Sequence, residues 1–267
     1  MKTATCWARA TGMVLSLAAI GAAADGEAKQ ILDATGVQGG LIVHVGCGDG
    51  KLTAALRASD RYVVHGLDVK EGNVVVARRH ANSLGLAGKV SFDTFDGKHL
   101  PFADNLVNLL VADDLGDVPL DEVMRVLAPL GVACVGNPAE RTMIAKPWPS
   151  EIDEWTHWLH DAGGNAVGKD EVVGPPRHYQ WTASPSWSKH HDTVLTTSAM
   201  VTAGGRLFAI VDESPSSEFH ENTSGNWFLL ARDAFSGVLL WKVPMSDWGW
   251  QAWGESFTKR FAQPVQL

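Results

Sequence analysis

The stretch "LIVHVGCGDGKLTAAL", residues 41–56, decides how the first half of this chain is read. An apolar run, 41–45, meets glycines at alternate positions, Gly46, Gly48 and Gly50, and a helical pattern follows over 51–58. Glycines so placed let the backbone turn sharply and come close to a ligand. A dinucleotide fingerprint, G-x-G-x-x-G, needs its third glycine at 51, where the chain has Lys51. The spacing G-x-G-x-G therefore argues against a nicotinamide cofactor.

Outward from this loop the pattern alternates. Ala28, Ile31 and Leu32 fall at helical spacing over 27–35. Strands are expected at 62–68, 90–95, 108–113 and 131–136. Between them lie a helix with Val74, Ala77, Ala81 and Leu84 on its apolar face and another over 121–127. Strands alternating with helices imply an α/β, Rossmann-like, doubly wound parallel sheet, which takes ligands at the carboxyl ends of its strands.

The motifs in this order resemble those of class I S-adenosylmethionine-dependent methyltransferases, over about 27–136. The glycine loop is similar to that family's cofactor loop. "GLDVKEGNVVVARRHA" (66–81) resembles its second-strand motif, "FDGKHLPFADNLVNLLV" (95–111) its D-x-x-x-L-P-F-x-D stretch, and "EVMRVLAPLG" (122–131) its run into strand five. The resemblance implies S-adenosylmethionine binding by Gly46, Cys47, Gly48, Gly50, Asp68, Val69, Asp96 and Gly97. Backbone N–H groups of 46–50 would meet the methionine carboxylate, Asp68 the two ribose hydroxyls, and Asp96 with Gly97 the adenine edge. No catalytic side chain is implied, because methyl transfer rests largely on alignment of the reactants.

Three departures stand beside the matches. His44 occupies a position usually acidic in that family, and Leu130 replaces the first glycine of a P-G-G turn. The helix and strand hairpin expected after strand five are not evident. Asp113 and Asp114 are candidate acceptor-side carboxylates, against the reading of a solvated loop before a helix.

Residues 1–24 have the build of a secretory signal: Lys2 and Arg9, the 13-residue apolar stretch 12–24, and Ala22-Ala23-Ala24 as a cleavage site. Export to the periplasm or beyond is the expectation. The apolar part is shorter than the ~20 residues of a membrane-spanning helix. Without Lys2 and Arg9, 20 basic residues face 30 acidic ones. That surface repels phosphate backbones, so nucleic acid is a poor partner. Cys47 and Cys134, the two cysteines left, make no disulfide framework.

Ten of the eleven tryptophans lie at or beyond Trp148, which with Pro147 and Pro149 places a boundary near residue 146. A Trp- and His-rich linker comes next, 146–197. In it His157, His160, Asp153 and Asp161, with His190-His191-Asp192 farther on, could form a metal or haem-edge site. The competing reading is an aromatic-histidine segment packed against the strands beyond residue 197, since no metal-ligand spacing is matched. "SAMVTAGGRLFAIVDE" (198–213) and "NWFLLARDAFSGVLLWKVP" (226–244) each read as strand, turn, strand. "ARDAFSGVLLWKVP" resembles the A-x-D-x-x-T-G-x-x-x-W motif of pyrroloquinoline-quinone-type β-propellers, over about 198–245. The resemblance implies a first blade over 198–267, Gly237 in its turn, Trp241 packed between blades, and missing blades on a longer chain. The calcium site and carboxylate of the quinone enzymes are not seen, so the quinone itself is unsupported.

These signals support three functions. The first is a methyltransferase-like protein acting on an unknown small-molecule or protein acceptor, fused to a quinoprotein-like propeller. The second is an exported, non-catalytic propeller scaffold carrying a relic methyltransferase domain. The weakest is a quinone-dependent oxidoreductase. Large exported bacterial proteins that join such domains resemble the whole.

Overall fold

A computed structural model describes residues 23–172, 174–175, 179–185, 196–214, 225–246 and 248. The expected signal sequence 1–24 except for its last two residues, the 190–192 group and the chain after residue 248 lie outside them. Two compact units divide between Lys146 and Pro147. Among the described residues no helix is long and apolar enough to cross a membrane.

In the first unit, helix α1 covers residues 23–35, and β1 (Gly40–Val45) leads through the glycine loop into α2 (Lys51–Ala55). Then come β2 (Tyr62–Asp68), α3 (Glu71–Ser83), β3 (Val90–Thr94), β4 (Val107–Ala112), α4 (Leu120–Val126), β5 (Leu127–Val135) and β6 (Thr142–Ala145). The sheet order is β3-β2-β1-β4-β5-β6, parallel except for β6, which runs antiparallel to β5.

The doubly wound fold arises from strands that are apolar on both faces. On one face Ile42, Val64, Leu109 and Val111 pack with Ala28 and Ile31 of α1 and Val74, Ala77 and Ala81 of α3. On the other, Val43, Val45, Leu67 and Leu110 pack with Val123 and Val126 of α4. The chain returns from β3 across β2 and β1 to start β4, so strand order reverses between β1 and β4. Ligands of such sheets bind at that crevice.

Several expectations are corrected. Helix α2 ends at Ala55 rather than 58, α1 begins before 27, and β5 starts at Leu127 rather than 131. A strand does follow β5: β6 is four residues of largely exposed side chains, too short for its periodicity to register. Leu130, at φ +64, takes the left-handed conformation that a glycine would favour.

The second unit holds a four-stranded antiparallel meander in the order β10-β9-β8-β7: β7 (Thr197–Ala203), β8 (Arg206–Asp212), β9 (Trp227–Asp233) and β10 (Leu239–Pro244). Asp233 builds the β9–β10 turn, its Oδ1 accepting from the Ser236 N–H and hydroxyl at 2.7 Å each. Trp181 lies over Gly237 where a side chain would stand, and its indole N–H donates to the Ala234 carbonyl at 2.9 Å. Trp241 is 36% exposed and tilts against Phe208, with ring centroids 6.1 Å apart.

Candidate functional site

The glycine loop is held from beneath. Gly46 and Cys47 N–H both donate to the Leu67 carbonyl, at 2.8 and 3.0 Å. The Gly48 N–H donates to Asp68 Oδ2 at 3.0 Å, and the Gly50 N–H to the Cys47 carbonyl at 2.9 Å. This corrects the expectation that these amides face a ligand. The Asp49 N–H is the one loop amide with no protein acceptor among the described residues.

The three glycines have different reasons. All are left-handed, with φ of +75, +53 and +79. A Cβ at Gly46 would meet nothing within 4 Å, and one at Gly48 only the Gly46 carbonyl, at 4.0 Å. Their open side is where a ligand can approach the backbone. A Cβ at Gly50 would come within 2.6 Å of the Ala77 methyl, so that glycine serves the packing of α2 on α3. Cys47 turns its side chain into the core, where burial pushes its thiol up to about 12. It offers the site backbone alone.

Asp68 ends β2 beside the loop and is 5% exposed. Its Oδ2 accepts from Gly48 N–H and from Asn73 Nδ2, each at 3.0 Å; its Oδ1 accepts from Lys70 N–H at 2.9 Å. Burial opposes ionisation, but the Asn73, Lys70 and Gly48 donors outweigh it and hold the carboxyl below its ordinary range. Asn73, at the start of α3, was not singled out from sequence. The five-residue interval after Asp68 was the available signal.

Val69 comes next, an apolar side chain 58% exposed at the strand end. Its Cγ1 lies 3.1 Å from where a Gly97 Cβ would stand, so the structure brings Val69 and Gly97 together. Asp96 stands at the same loop, exposed, but its carboxylate is engaged locally. Oδ1 accepts from the Lys98 and His99 N–H groups at 2.8 and 2.7 Å, and Oδ2 lies 2.6 Å from His99 Nδ1. Those bonds, led by His99, depress its pKa.

The 96–104 loop is fastened to α4 by Arg125, another residue without an assigned role at the sequence level. Its guanidinium donates to the Leu100 and Phe102 carbonyls at 3.0 and 2.9 Å, to Asp104 at 2.6 Å and to both oxygens of Glu122. Glu122 in turn accepts from Leu100 N–H at 2.7 Å.

His44 is buried under the loop with its Nδ1 2.7 Å from Thr53 Oγ1. Burial lowers its pKa to about 4, against the pull of Asp113 and Asp68, so the imidazole is neutral at pH 7. Asp113 and Asp114 are both exposed at the end of β4. Arg141, beyond β5, pairs with Glu27 of α1.

In the second unit His160 is buried between carboxylates, Nε2 2.6 Å from Asp153 and Nδ1 3.5 Å from Asp161. The two nitrogens face different partners, so this is an imidazole set between two carboxylates rather than a shared ligand point. Trp155 and Thr202 exchange hydrogen bonds, which ties this segment to β7. Among the described residues no group of three His, Cys, Asp or Glu side chains could hold a metal ion.

The glycine loop after β1, the carboxylate that ends β2 and the Val69–Gly97 contact beyond β2 and β3 lie together at the carboxyl ends of these strands, the edge at which doubly wound domains bind nucleotide cofactors. Comparison goes further: residues 42–131 match the profile of a methyltransferase domain family, and the first unit is methyltransferase-like. The methyltransferase GfsG of Streptomyces halstedii is 38% identical over 92 residues, 34% of this chain and 33% of its own. This chain thus spans about a third of that curated relative. Among solved structures, a SAM-dependent methyltransferase from Aquifex aeolicus is 23% identical, with a TM-score of 0.39 over 45% of this chain and 69% of its own. The [4+2]-cyclase SpnF is 27% identical, with a TM-score of 0.39 over 42% and 43%.

Proposed function

We propose that the first unit binds S-adenosylmethionine at the carboxyl ends of β1, β2 and β3, and that the protein transfers the methyl group to a small-molecule or protein acceptor. The juxtaposition of the open Gly46–Gly48 backbone, Asp68 and the Val69–Gly97 slot carries this reading. The family match over 42–131 supports the same cofactor.

S-adenosylmethionine supplies an electrophilic methyl carbon on a sulfonium. The chain itself contributes alignment. Asp68 anchors the ribose, Val69 covers an adenine face, and Gly46 and Gly48 admit the methionine portion against the backbone. Asp113 and Asp114, at the end of β4, are the carboxylates available on the acceptor side.

Calorimetric titration of S-adenosylmethionine into the full chain tests this. Asp68→Ala should weaken binding by about 1.5–3 kcal/mol, the range for hydrogen bonds to a charged group. No binding to wild type at millimolar cofactor refutes the reading.

A second reading is favoured by the inward-turned loop amides and the single short strand after β5. In it the first unit is a relic, and the protein is an exported binding scaffold whose four-stranded sheet is one blade of a quinoprotein-like propeller on a longer chain. Cofactor binding argues against the relic. Amino-terminal sequencing tests export, with cleavage after Ala24 expected and retained Met1 refuting it. Quinone-dependent oxidation draws no support from the described residues.

A further inference from the structure

The contacts of Asp68 leave too few acceptors for a ribose diol to be taken up by Asp68 alone. Each carboxylate oxygen offers two lone-pair sites. Oδ2 has both filled, by Gly48 N–H and Asn73 Nδ2, while Oδ1 has one filled, by Lys70 N–H. These donors come from the glycine loop, the residue before α3 and α3 itself. Swinging the buried carboxylate to free Oδ2 would strand a backbone N–H. One site on Oδ1 remains.

Asn73 has the capacity that Asp68 lacks. Its amide nitrogen faces Asp68, the assignment an acceptor-only carboxylate requires. The other amide hydrogen and the carbonyl Oδ1 have no protein partner among the described residues, and the side chain is only partly buried. A group that both donates and accepts suits a hydroxyl, which does the same. Being neutral, it adds no repulsion to Asp68.

We propose that Asn73 is a second ribose-recognising residue: Asp68 Oδ1 accepts one hydroxyl of the 2′,3′-diol, and the Asn73 amide engages the other. This rests on S-adenosylmethionine being the cofactor, and it assigns the diol differently from a carboxylate that takes both hydroxyls.

The test is calorimetry on the full chain with S-adenosylhomocysteine and its 2′-deoxy and 3′-deoxy analogues. The proteins are wild type, Asn73→Leu and Asn73→Ser, each checked for an unchanged thermal melt. Wild type should bind each deoxy analogue about 3- to 10-fold more weakly than S-adenosylhomocysteine, the worth of one net hydrogen bond. In Asn73→Leu one of the two penalties should vanish while the other persists, and Asn73→Ser should retain part of the lost one. If both penalties survive in Asn73→Leu, or its parent ligand binds more tightly because the amide had competed for Oδ2, the Asn73 assignment falls and the cofactor reading stands. If wild type does not bind S-adenosylhomocysteine, both fall.

Discussion

Gly50→Ala and Gly46→Ala place the same methyl group on the same loop and should do opposite things. At Gly50, φ is +79 and the new Cβ would lie 2.6 Å from the Ala77 methyl and 2.8 Å from its Cα, which is backbone and cannot swing aside. The left-handed conformation costs an alanine about 1–2 kcal/mol, and forcing a methyl into a packed contact about 1–3 kcal/mol. The entropy lost from the unfolded chain returns about 0.4–1 kcal/mol. The net is a destabilisation of about 1–4.5 kcal/mol. At roughly 4 °C per kcal/mol for a unit of this size, the melt should fall by about 4–18 °C. At Gly46 the Cβ meets nothing, so the conformational cost alone, about 1 kcal/mol, is expected, together with loss of cofactor binding. The two units can be followed separately. Among the described residues the helices all lie in the first, and the tryptophans all in the second. Far-ultraviolet circular dichroism of the full chain therefore reports helix loss from the first unit, and tryptophan fluorescence serves as an internal control. A Gly50→Ala melt within about 2 °C of wild type, or a Gly46→Ala drop as large as that of Gly50→Ala, would refute the division of roles.

Three further outcomes are expected. Since folding lowers the His44 pKa to about 4, the folded state disfavours its protonated form. Its stabilisation is complete above pH 6.5 and is lost as pH falls from 6.5 towards 4, by about 3 kcal/mol; urea titrations of His44→Gln should lack this slope, and an unchanged slope would count against it. Arg125→Met leaves the Leu100 and Phe102 carbonyls without their donor and Glu122 with the Leu100 N–H alone, a cost of about 2–4 kcal/mol that Glu122→Gln should partly relieve in the double variant. Leu130→Gly, at an exposed left-handed position, should raise stability by about 0.5–1 kcal/mol in the same titrations; a loss would mean that the leucine side chain packs more than its 54% exposure suggests.

The sheet was legible because its strands are short apolar runs punctuated by glycines, and a strand buried on both faces needs little else to be recognised. The glycine loop was legible as a loop. Which way its amides point was not, because that depends on Leu67 and Asp68 of β2 standing beside residues 46–48, a relation set by pairing across the sheet. Asp68 could be named because the stretch 66–81 resembles a known second-strand motif with an acidic end, whereas Asn73 became visible only with the geometry that brings its amide back over that carboxylate. Arg125 shows the same limit: its acceptors lie up to 25 residues away in sequence, and no local pattern marks them. His160 was seen beside Asp153, but sequence could not tell a shared metal point from an imidazole with a different carboxylate on each side.

Lys146, the last residue before the division between the units, spends its ammonium on the Asn105 side chain and the Met124 and Leu127 carbonyls, at 2.7, 2.7 and 2.8 Å. The closing residue of the first unit is thus satisfied by that unit's own chain. A gene joined to a different partner just after this codon would carry Lys146 together with all three of its acceptors, so the junction would not cut through that set of bonds.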